Sequence, residues 1–166
     1  MNTLLLGLGN PILSDDAIGV RAAEAVQAAL PYGASVDVEE ACVGGLSLME
    51  RMVGYERAIL IDALCLGQAP VGTVRRLSMQ ELSEVSPTQH SASAHDTNLV
   101  TALATGRRMG LALPQRVIIF AVEVENVLDF GEELTPAVAQ ALPEVTAAVL
   151  AELGYGVPHP AFTPKA

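Results

Sequence analysis

The stretch LLLGLGNPILSDDAIGV, residues 4–20, joins an apolar run to a helical pattern through a turn that contains two glycines and two aspartates. The apolar run is typical of a strand covered on both faces, and it predicts a strand over Thr3–Leu8. Apolar residues at helical spacing then predict a helix over residues 17–30, which ends before a proline and a glycine. The opening of the chain therefore reads as the strand and helix of a β–α–β unit.

The rest of the chain repeats this alternation. Strands are predicted over residues 34–38, 57–62 and 117–122, with an edge strand over residues 73–77. Helices are predicted over residues 45–52, 96–109 and 135–153, the last with Thr135 as N-cap and Pro136 at its first position, and residues 81–93 are predicted to be a loop. The expected fold class is α/β with three layers, a mostly parallel twisted sheet of about five strands with helices on both faces.

Length and composition set the domain organisation and the expected compartment. The chain has 166 residues, which is enough for one core, so we expect a single α/β domain over residues 1–154 and a loose tail over residues 155–166. Its apolar stretches are shorter than the roughly 18–20 residues of a membrane span, and no secretory signal pattern is present at the N-terminus. Two cysteines, Cys42 and Cys65, do not make a disulfide framework. These features predict a soluble cytoplasmic protein.

The charge balance limits the class of partner. Nine basic residues stand against nineteen acidic ones, which gives a net charge of −10. Nucleic-acid binding depends largely on Lys and Arg at the phosphates, so this balance disfavours a nucleic-acid partner. It is compatible with a cationic partner, either a metal ion or a basic peptide, but by itself the charge balance favours a role in solubility alone.

The glycines of the first turn suggest a phosphate-binding loop, but the surrounding residues oppose that interpretation. Gly7 and Gly9 fit a G-x-G-x-x-G pattern, whereas Ile12 occupies the third position. Asp15 and Asp16 stand at the predicted helix start, where a pyrophosphate would need positive potential. One aspartate is explained as an N-cap or as a favourable charge at a helix N-terminus. The pair is less fully explained in this way, which leaves open a site role for one of the two.

A longer pattern carries a resemblance to a known family. The pattern G-x-G-N-x-x-x-x-D-D-x-x-G over residues 7–19 resembles the N-terminal signature of the hydrogenase maturation proteases. Asp62 in ILIDAL and His95 in SAHDTNL match the other two signature positions of that family. The stretch FGEELTPAV, residues 130–138, is similar to its later G-x-x-L-(T/S)-P-x-V segment. The four matches occur in order and span nearly the whole chain.

This resemblance implies an endopeptidase that trims a C-terminal extension from the large-subunit precursor of a nickel–iron hydrogenase after nickel insertion. It also implies that nickel carried by the precursor serves as the recognition element, so a divalent metal comes with the partner and no organic cofactor is expected. Asp16, Asp62 and His95 are then the expected catalytic and metal-contacting residues. One segment departs from the family pattern: residues 40–45 read EACVGG where the family has a D-G-G-T type segment tied to substrate choice.

The chemistry of these residues agrees with a metal-contacting role. Two carboxylates and one imidazole form a donor set that suits nickel, zinc or iron, and three ligands leave positions open for water or a substrate group. Taken singly, Asp62 could instead cap a turn, and His95 could be a residue at a helix start. Of the other two histidines, His90 is the second candidate for the site histidine after His95, and His159 is taken to have no role in the site. A non-catalytic nickel-checking chaperone stays open as an alternative. A peptidyl-tRNA hydrolase-like esterase, suggested by GLGNP at residues 7–11, is the weaker one.

Overall fold

A computed structural model of the chain describes residues 2–85 and 96–157, with only the backbone of residues 96–98. His90, His95 and His159 lie outside the described residues, as do most of the predicted loop over 81–93 and residues 158–166 of the predicted tail. Among the described helices, none combines the length and the apolar composition needed to cross a membrane.

The described part of the chain contains five strands and five α-helices. The strands are β1 (Thr3–Leu8), β2 (Val36–Ala41), β3 (Arg57–Leu64), β4 (Val74–Ser78) and β5 (Arg116–Glu123). The helices are α1 (Ile18–Ala29), α2 (Gly45–Arg51), α3 (Met79–Val85), α4 (Asp96–Arg108) and α5 (Pro136–Leu153), and a 3₁₀ turn (Ser14–Ala17) precedes α1. The strand order is β2-β1-β3-β5-β4, parallel throughout except for β4, which is the antiparallel edge strand. The predicted α/β class and the predicted edge strand are confirmed.

Alternation along the central strands divides the core into two halves. On β3, Leu60 and Leu64 pack on one side with residues of α2, α3 and α4, whereas Ile59 and Ile61 pack on the other with residues of α1 and α5. Successive side chains of a strand point to opposite faces, so a strand covered on both faces reads as a continuous apolar run. That property explains why β1 and β3 were recognisable in the sequence, since every residue of both is buried.

Helix α1 lies unusually close to the sheet at its first turn. A Cβ atom placed on Gly19 would overlap the carbonyl oxygens of Leu8 and Ile61. Only a residue without a side chain permits this approach. The backbone of α1 therefore rests on the ends of β1 and β3, and the 3₁₀ turn just before it is held over the carboxyl edge of the sheet.

The predicted loop over residues 81–93 is wrong at its start, where α3 extends to Val85. The helix begins with a capping box: the Ser78 N–H donates to Glu81 Oε2 at 2.7 Å and the Glu81 N–H donates to Ser78 Oγ at 3.2 Å. This reciprocal pair satisfies two backbone donors that a helix start leaves unbonded. Leu82 then packs into the core, so a mostly polar segment is held as a helix.

Two predicted strand boundaries are also corrected by the sheet register. The strand predicted over residues 34–38 is β2, which continues to Ala41 because it pairs with β1 up to Leu8. The strand predicted over residues 57–62 is β3, which continues past Asp62 because Ala63 and Leu64 pair with β5. Asp62 is therefore inside a strand, beyond the end of its pairing with β1.

Three arginines surround one carboxylate at the amino edge of the sheet and connect the end of α5 to strands β3, β4 and β5. Glu152 near the end of α5 accepts hydrogen bonds from Arg57 at 2.7 Å, Arg76 at 2.8 Å and Arg116 at 3.1 Å. Arg57 also donates to the Glu152 carbonyl oxygen at 2.6 Å. Burial lowers the pKa of the Arg57 guanidinium, and the charge of Glu152 opposes that shift. Glu152 is thus the counter-ion that offsets the cost of burying the charge of Arg57.

We expect the substitution Glu152→Gln to lower the free energy of unfolding by about 3 kcal/mol, because it leaves buried guanidinium charge without its counter-ion. Urea denaturation followed by circular dichroism measures the change. Glu144→Gln, an exposed position on the same helix, is the matched control and is expected to change stability by less than about 0.5 kcal/mol. Equal effects of the two substitutions would contradict this role of Glu152.

Candidate functional site

Asp15 connects the 3₁₀ turn to the start of α5. Its carboxylate, fully buried, accepts hydrogen bonds from the Thr135 N–H at 2.7 Å and from the Thr135 hydroxyl at 3.0 Å. Its own N–H donates to the Asn126 carbonyl oxygen at 3.1 Å. The N-terminal end of α5 favours a negative charge at this place. Thr135 is the N-cap of α5 as predicted, but its hydroxyl bonds to Asp15 rather than to its own helix.

Asp16 lies at the same turn, and the chain folds around it. Its Oδ2 atom accepts a hydrogen bond from the Asn10 N–H at 2.7 Å. Gly9 has a φ of +129°, and a Cβ atom there would overlap the Asp16 carbonyl oxygen. The glycine is therefore required by both its backbone conformation and the contact. Among the described residues, none donates a hydrogen bond to Oδ1 of Asp16, so one oxygen is held by the turn and the other is not.

Asp62 reaches the same edge from β3. Its neighbour Ile61 pairs with Gly7, so Asp62 stands level with the end of β1 and is almost completely buried. Its Oδ1 atom accepts a hydrogen bond from the Ala63 N–H at 2.9 Å. The 3₁₀ turn that carries Asp16 is placed at this end of β1 by the contact of Gly19 with Leu8 and Ile61. The structure thus brings Asp16 and Asp62 to one region of the carboxyl edge.

His95, the third predicted residue, lies outside the described residues, so the three-residue set stays a prediction. It precedes Asp96, the first residue of α4, and α4 packs on the face of the sheet to which Asp62 belongs by alternation. Within residues 2–85 and 99–157, no group of three or more His, Cys, Asp or Glu side chains could hold a metal ion. The donor set of two carboxylates and an imidazole nevertheless suits a divalent transition metal.

Glu123 is a carboxylate at this edge that the sequence interpretation missed. Its Oε1 atom accepts hydrogen bonds from the N–H groups of Leu66 at 2.8 Å and Gly67 at 2.7 Å, and its Oε2 atom pairs with Arg75 at 3.0 Å. Glu123 therefore fastens the loop that follows β3. The sequence could have indicated this residue. VIIFAVE, residues 117–123, is an apolar run that ends in an acidic residue, as ILID at residues 59–62 is.

A second loop, segment 125–133, borders the turn. The Ser14 N–H donates to the Gly131 carbonyl oxygen at 2.8 Å, and the Gly131 N–H donates to the Ile12 carbonyl oxygen at 3.0 Å. The Ser14 hydroxyl also donates to the Glu133 carbonyl oxygen at 3.1 Å. Ser14 has a φ of +39°, an uncommon conformation for a residue with a side chain. These bonds hold the strained residue and join the turn to segment 125–133.

An open groove lies between the start of α2 and α4, two helices that cover the face of the sheet to which Asp62 belongs by alternation. Its volume is about 560 Å³, and its lining consists mostly of small side chains: Gly44, Gly45, Leu46, Ser47, Thr101, Ala102 and Thr105. The groove includes the glycines of the EACVGG segment. Because few bulky side chains fill it, an extended peptide could lie along this surface.

Comparison with known proteins gives consistent results. The sequence profile of a family described as hydrogenase maturation protease (HycI) matches residues 20–152. The hydrogenase expression/formation protein HupD of Thiocapsa roseopersicina is 29% identical over 147 residues, which cover 84% of this chain and 65% of that protein. The hydrogenase 2 maturation protease of Escherichia coli is 29% identical over 153 residues, with 92% of this chain and 91% of that protein covered.

Solved structures extend the comparison to the fold. The hydrogenase maturating endopeptidase HybD from Escherichia coli superposes with a TM-score of 0.79 at 29% identity. The superposition covers 93% of each chain. The three-layer arrangement of this chain is therefore shared with that endopeptidase along almost its entire length.

We expect Asp15→Ala to destabilise the protein by about 2–3 kcal/mol, because it leaves the partly buried Thr135 N–H and hydroxyl without their charged acceptor. Thr135→Val removes only the hydroxyl bond of the pair and should cost about 1 kcal/mol. Urea denaturation of both variants measures the difference. A loss from Asp15→Ala no larger than that from Thr135→Val would show that the bond to the Thr135 N–H does not stabilise the fold.

Proposed function

We propose, because this chain belongs to the hydrogenase maturation protease family, that it is an endopeptidase acting on the large-subunit precursor of a nickel–iron hydrogenase. The reaction proposed is removal of a C-terminal extension after nickel has been inserted. The observation that supports the proposal is the burial of two carboxylates, Asp16 and Asp62, on a turn and a strand that contact each other at the carboxyl edge of a parallel sheet. That edge is where α/β proteins of this kind bind their ligands.

In this proposal Asp16, Asp62 and His95 contact the nickel carried by the precursor, which is part of the substrate. Buried carboxylates are costly unless they are paired with a cation or fully hydrogen-bonded. The turn holds Asp16 through Oδ2 and, among the described residues, supplies no donor to Oδ1. A divalent cation arriving with the precursor would provide the missing partner. Recognition would then depend on nickel loading, because a nickel-free precursor lacks that cation.

The residues of this chain would position the substrate metal and the peptide relative to each other. Asp16 is oriented by Asn10 and Gly9, and Asp15 holds the turn against α5. Nickel bound in this way could polarise the scissile carbonyl or lower the pKa of a water molecule. In this proposal the groove between α2 and α4 is the surface along which the peptide that carries the scissile bond would lie.

Binding of the loaded precursor without cleavage is the alternative that uses the same side chains. Family membership favours cleavage, since the family is described as a protease family. An RNA-directed esterase is disfavoured by the net charge of −10 and by the absence of Lys, Arg and His from residues 117–157. A cleavage assay with purified components separates binding from hydrolysis.

We expect Asp16→Asn and His95→Ala each to abolish processing while the protein remains folded. Asp16→Asn replaces the charged carboxylate with a neutral amide of the same shape, and His95→Ala removes the imidazole, so each substitution removes a donor group of the proposed metal-contacting set. Mass spectrometry of the co-expressed large subunit measures whether the extension has been removed, and circular dichroism checks the fold. Glu144→Gln, on the exposed surface of α5, is the matched control and should process the precursor as the unmodified protein does.

A fully trimmed large subunit in the presence of either variant would contradict the assigned roles. If the unmodified, folded protein binds the nickel-loaded precursor but leaves it untrimmed in the purified assay, the endopeptidase proposal fails. The alternative of a binding protein would then be preferred. Equal processing of nickel-loaded and nickel-free precursors would overturn the role of nickel in recognition.

A further inference from the structure

Three large apolar side chains are exposed beside the candidate site, and we call them the apolar patch: Ile12, Leu128 and Phe130. Leu128 and Phe130 are 83% and 82% exposed, and Ile12 is 49% exposed. The three residues belong to two loops that are joined by backbone hydrogen bonds between Ile12 and Gly131 and between Ser14 and Gly131. Exposed apolar side chains grouped in this way are typical of a protein interaction site.

The loop that carries the patch is held in place rather than left free. The Asp129 N–H donates to Asn126 Oδ1 and Asn126 Nδ2 donates to Asp129 Oδ2, both at 3.2 Å. The Asn126 carbonyl oxygen in turn accepts the N–H of Asp15. The neighbouring Val127 packs against the core. A presented side chain on a fixed loop loses little conformational freedom on binding, which favours affinity.

The loop that carries Leu128 and Phe130 also contains four exposed carboxylates. We call them the acidic rim: Glu125, Asp129, Glu132 and Glu133. No Lys, Arg or His occurs between residues 117 and 157. Among the described basic residues, Arg21 contacts this loop, donating to the Glu132 carbonyl oxygen at 3.4 Å, and its side chain also lies 3.7 Å from Glu24. The rim therefore carries a local excess of negative charge.

We propose that the apolar patch and the acidic rim dock a segment of the precursor protein in which apolar side chains are flanked by Lys or Arg. This inference rests on the proposed function, since the docked protein is the proposed substrate. Apolar anchors supply affinity at the centre of an interface, and complementary charge at its rim speeds association and selects the partner. The loop is bonded to the turn that carries Asp16, so a segment docked here is held next to the proposed cleavage site.

The charge of the rim argues against two other occupants. A second copy of this chain docked through the same surface would bring two acidic rims together, and like charges across an interface disfavour association. Nucleic acid would be repelled for the same reason. A basic and apolar protein segment is the occupant that satisfies both the patch and the rim.

The test uses the nickel-loaded large-subunit precursor of each nickel–iron hydrogenase of the source organism. The double variant Leu128→Ser/Phe130→Ser should raise the Kd for the cognate precursor about 10- to 100-fold, and it should raise KM more than it lowers kcat. The double variant Asp129→Asn/Glu132→Gln should raise Kd several-fold at low salt and reduce the dependence of Kd on salt. Met109→Ser is the matched control, since Met109 is 71% exposed after the end of α4, away from the patch, and should bind as the unmodified protein does.

Binding and cleavage are measured separately so that the two proposals can fail separately. If the unmodified protein cleaves the precursor and the patch variant binds it equally well, docking at the patch is overturned and the proposed function stands. If the patch variant loses binding while the unmodified protein binds without cleaving, docking is supported and the endopeptidase proposal fails. If the unmodified protein neither binds nor cleaves any of the precursors, both proposals fail.

Two further outcomes would overturn parts of the docking proposal. If the rim variant keeps the affinity and salt dependence of the unmodified protein, the basic character of the partner is wrong. If light scattering shows that the unmodified protein is a dimer and the patch variant a monomer, the occupant of the patch is a second copy of this chain. Circular dichroism of each variant confirms that the comparison is made between folded proteins.

Discussion

The close packing of α1 on the backbone of β1 and β3 is the contact on which the rest of the structure depends. Gly19 permits it, because any side chain there would collide with the carbonyl oxygens of Leu8 and Ile61. The contact fixes the 3₁₀ turn at the carboxyl edge and determines where its two aspartates stand. Gly9, just after the end of β1, also permits a close backbone contact. There the chain passes next to the Asp16 carbonyl oxygen, where a side chain would not fit. The close contacts that these two glycines permit therefore hold the turn in which Asp15 and Asp16 are buried.

The adjacent aspartates do different physical work. Asp15 is satisfied within the protein by the N–H and hydroxyl of Thr135 and by the N-terminal end of α5. Asp16 has one oxygen held by the Asn10 N–H, while no described residue donates to the other. A buried charge without full pairing is costly, so its retention is understandable where a cation arrives from outside. Asp15 therefore holds the turn against α5, whereas Asp16 is the residue that we propose contacts the substrate metal.

Charge is distributed unevenly between the two edges of the sheet. At the amino edge, Arg57, Arg76 and Arg116 gather around Glu152, where the helix α5 ends. At the carboxyl edge, the aspartates and the acidic rim leave a negative surface, while Glu123 is compensated by Arg75. Basic residues thus help to stabilise the fold away from the site, and the exposed carboxylates of the acidic rim lie where a cation or a basic segment would approach.

The amino-acid sequence was enough to predict the strands, all of the helices except α3, the mostly parallel sheet, and Asp16 and Asp62 as candidate residues at its carboxyl edge. Those features follow from apolar periodicity and turn residues, which act over a few neighbouring positions. It also contained the capping box of α3, which the polar composition of residues 81–93 obscured. Only the tertiary structure showed that Asp15 binds Thr135, that Glu123 fastens the loop after β3, and that Ile12 adjoins the loop of Phe130. These contacts join residues from 56 to 120 positions apart, and their pairing is decided by how whole layers pack rather than by any local pattern.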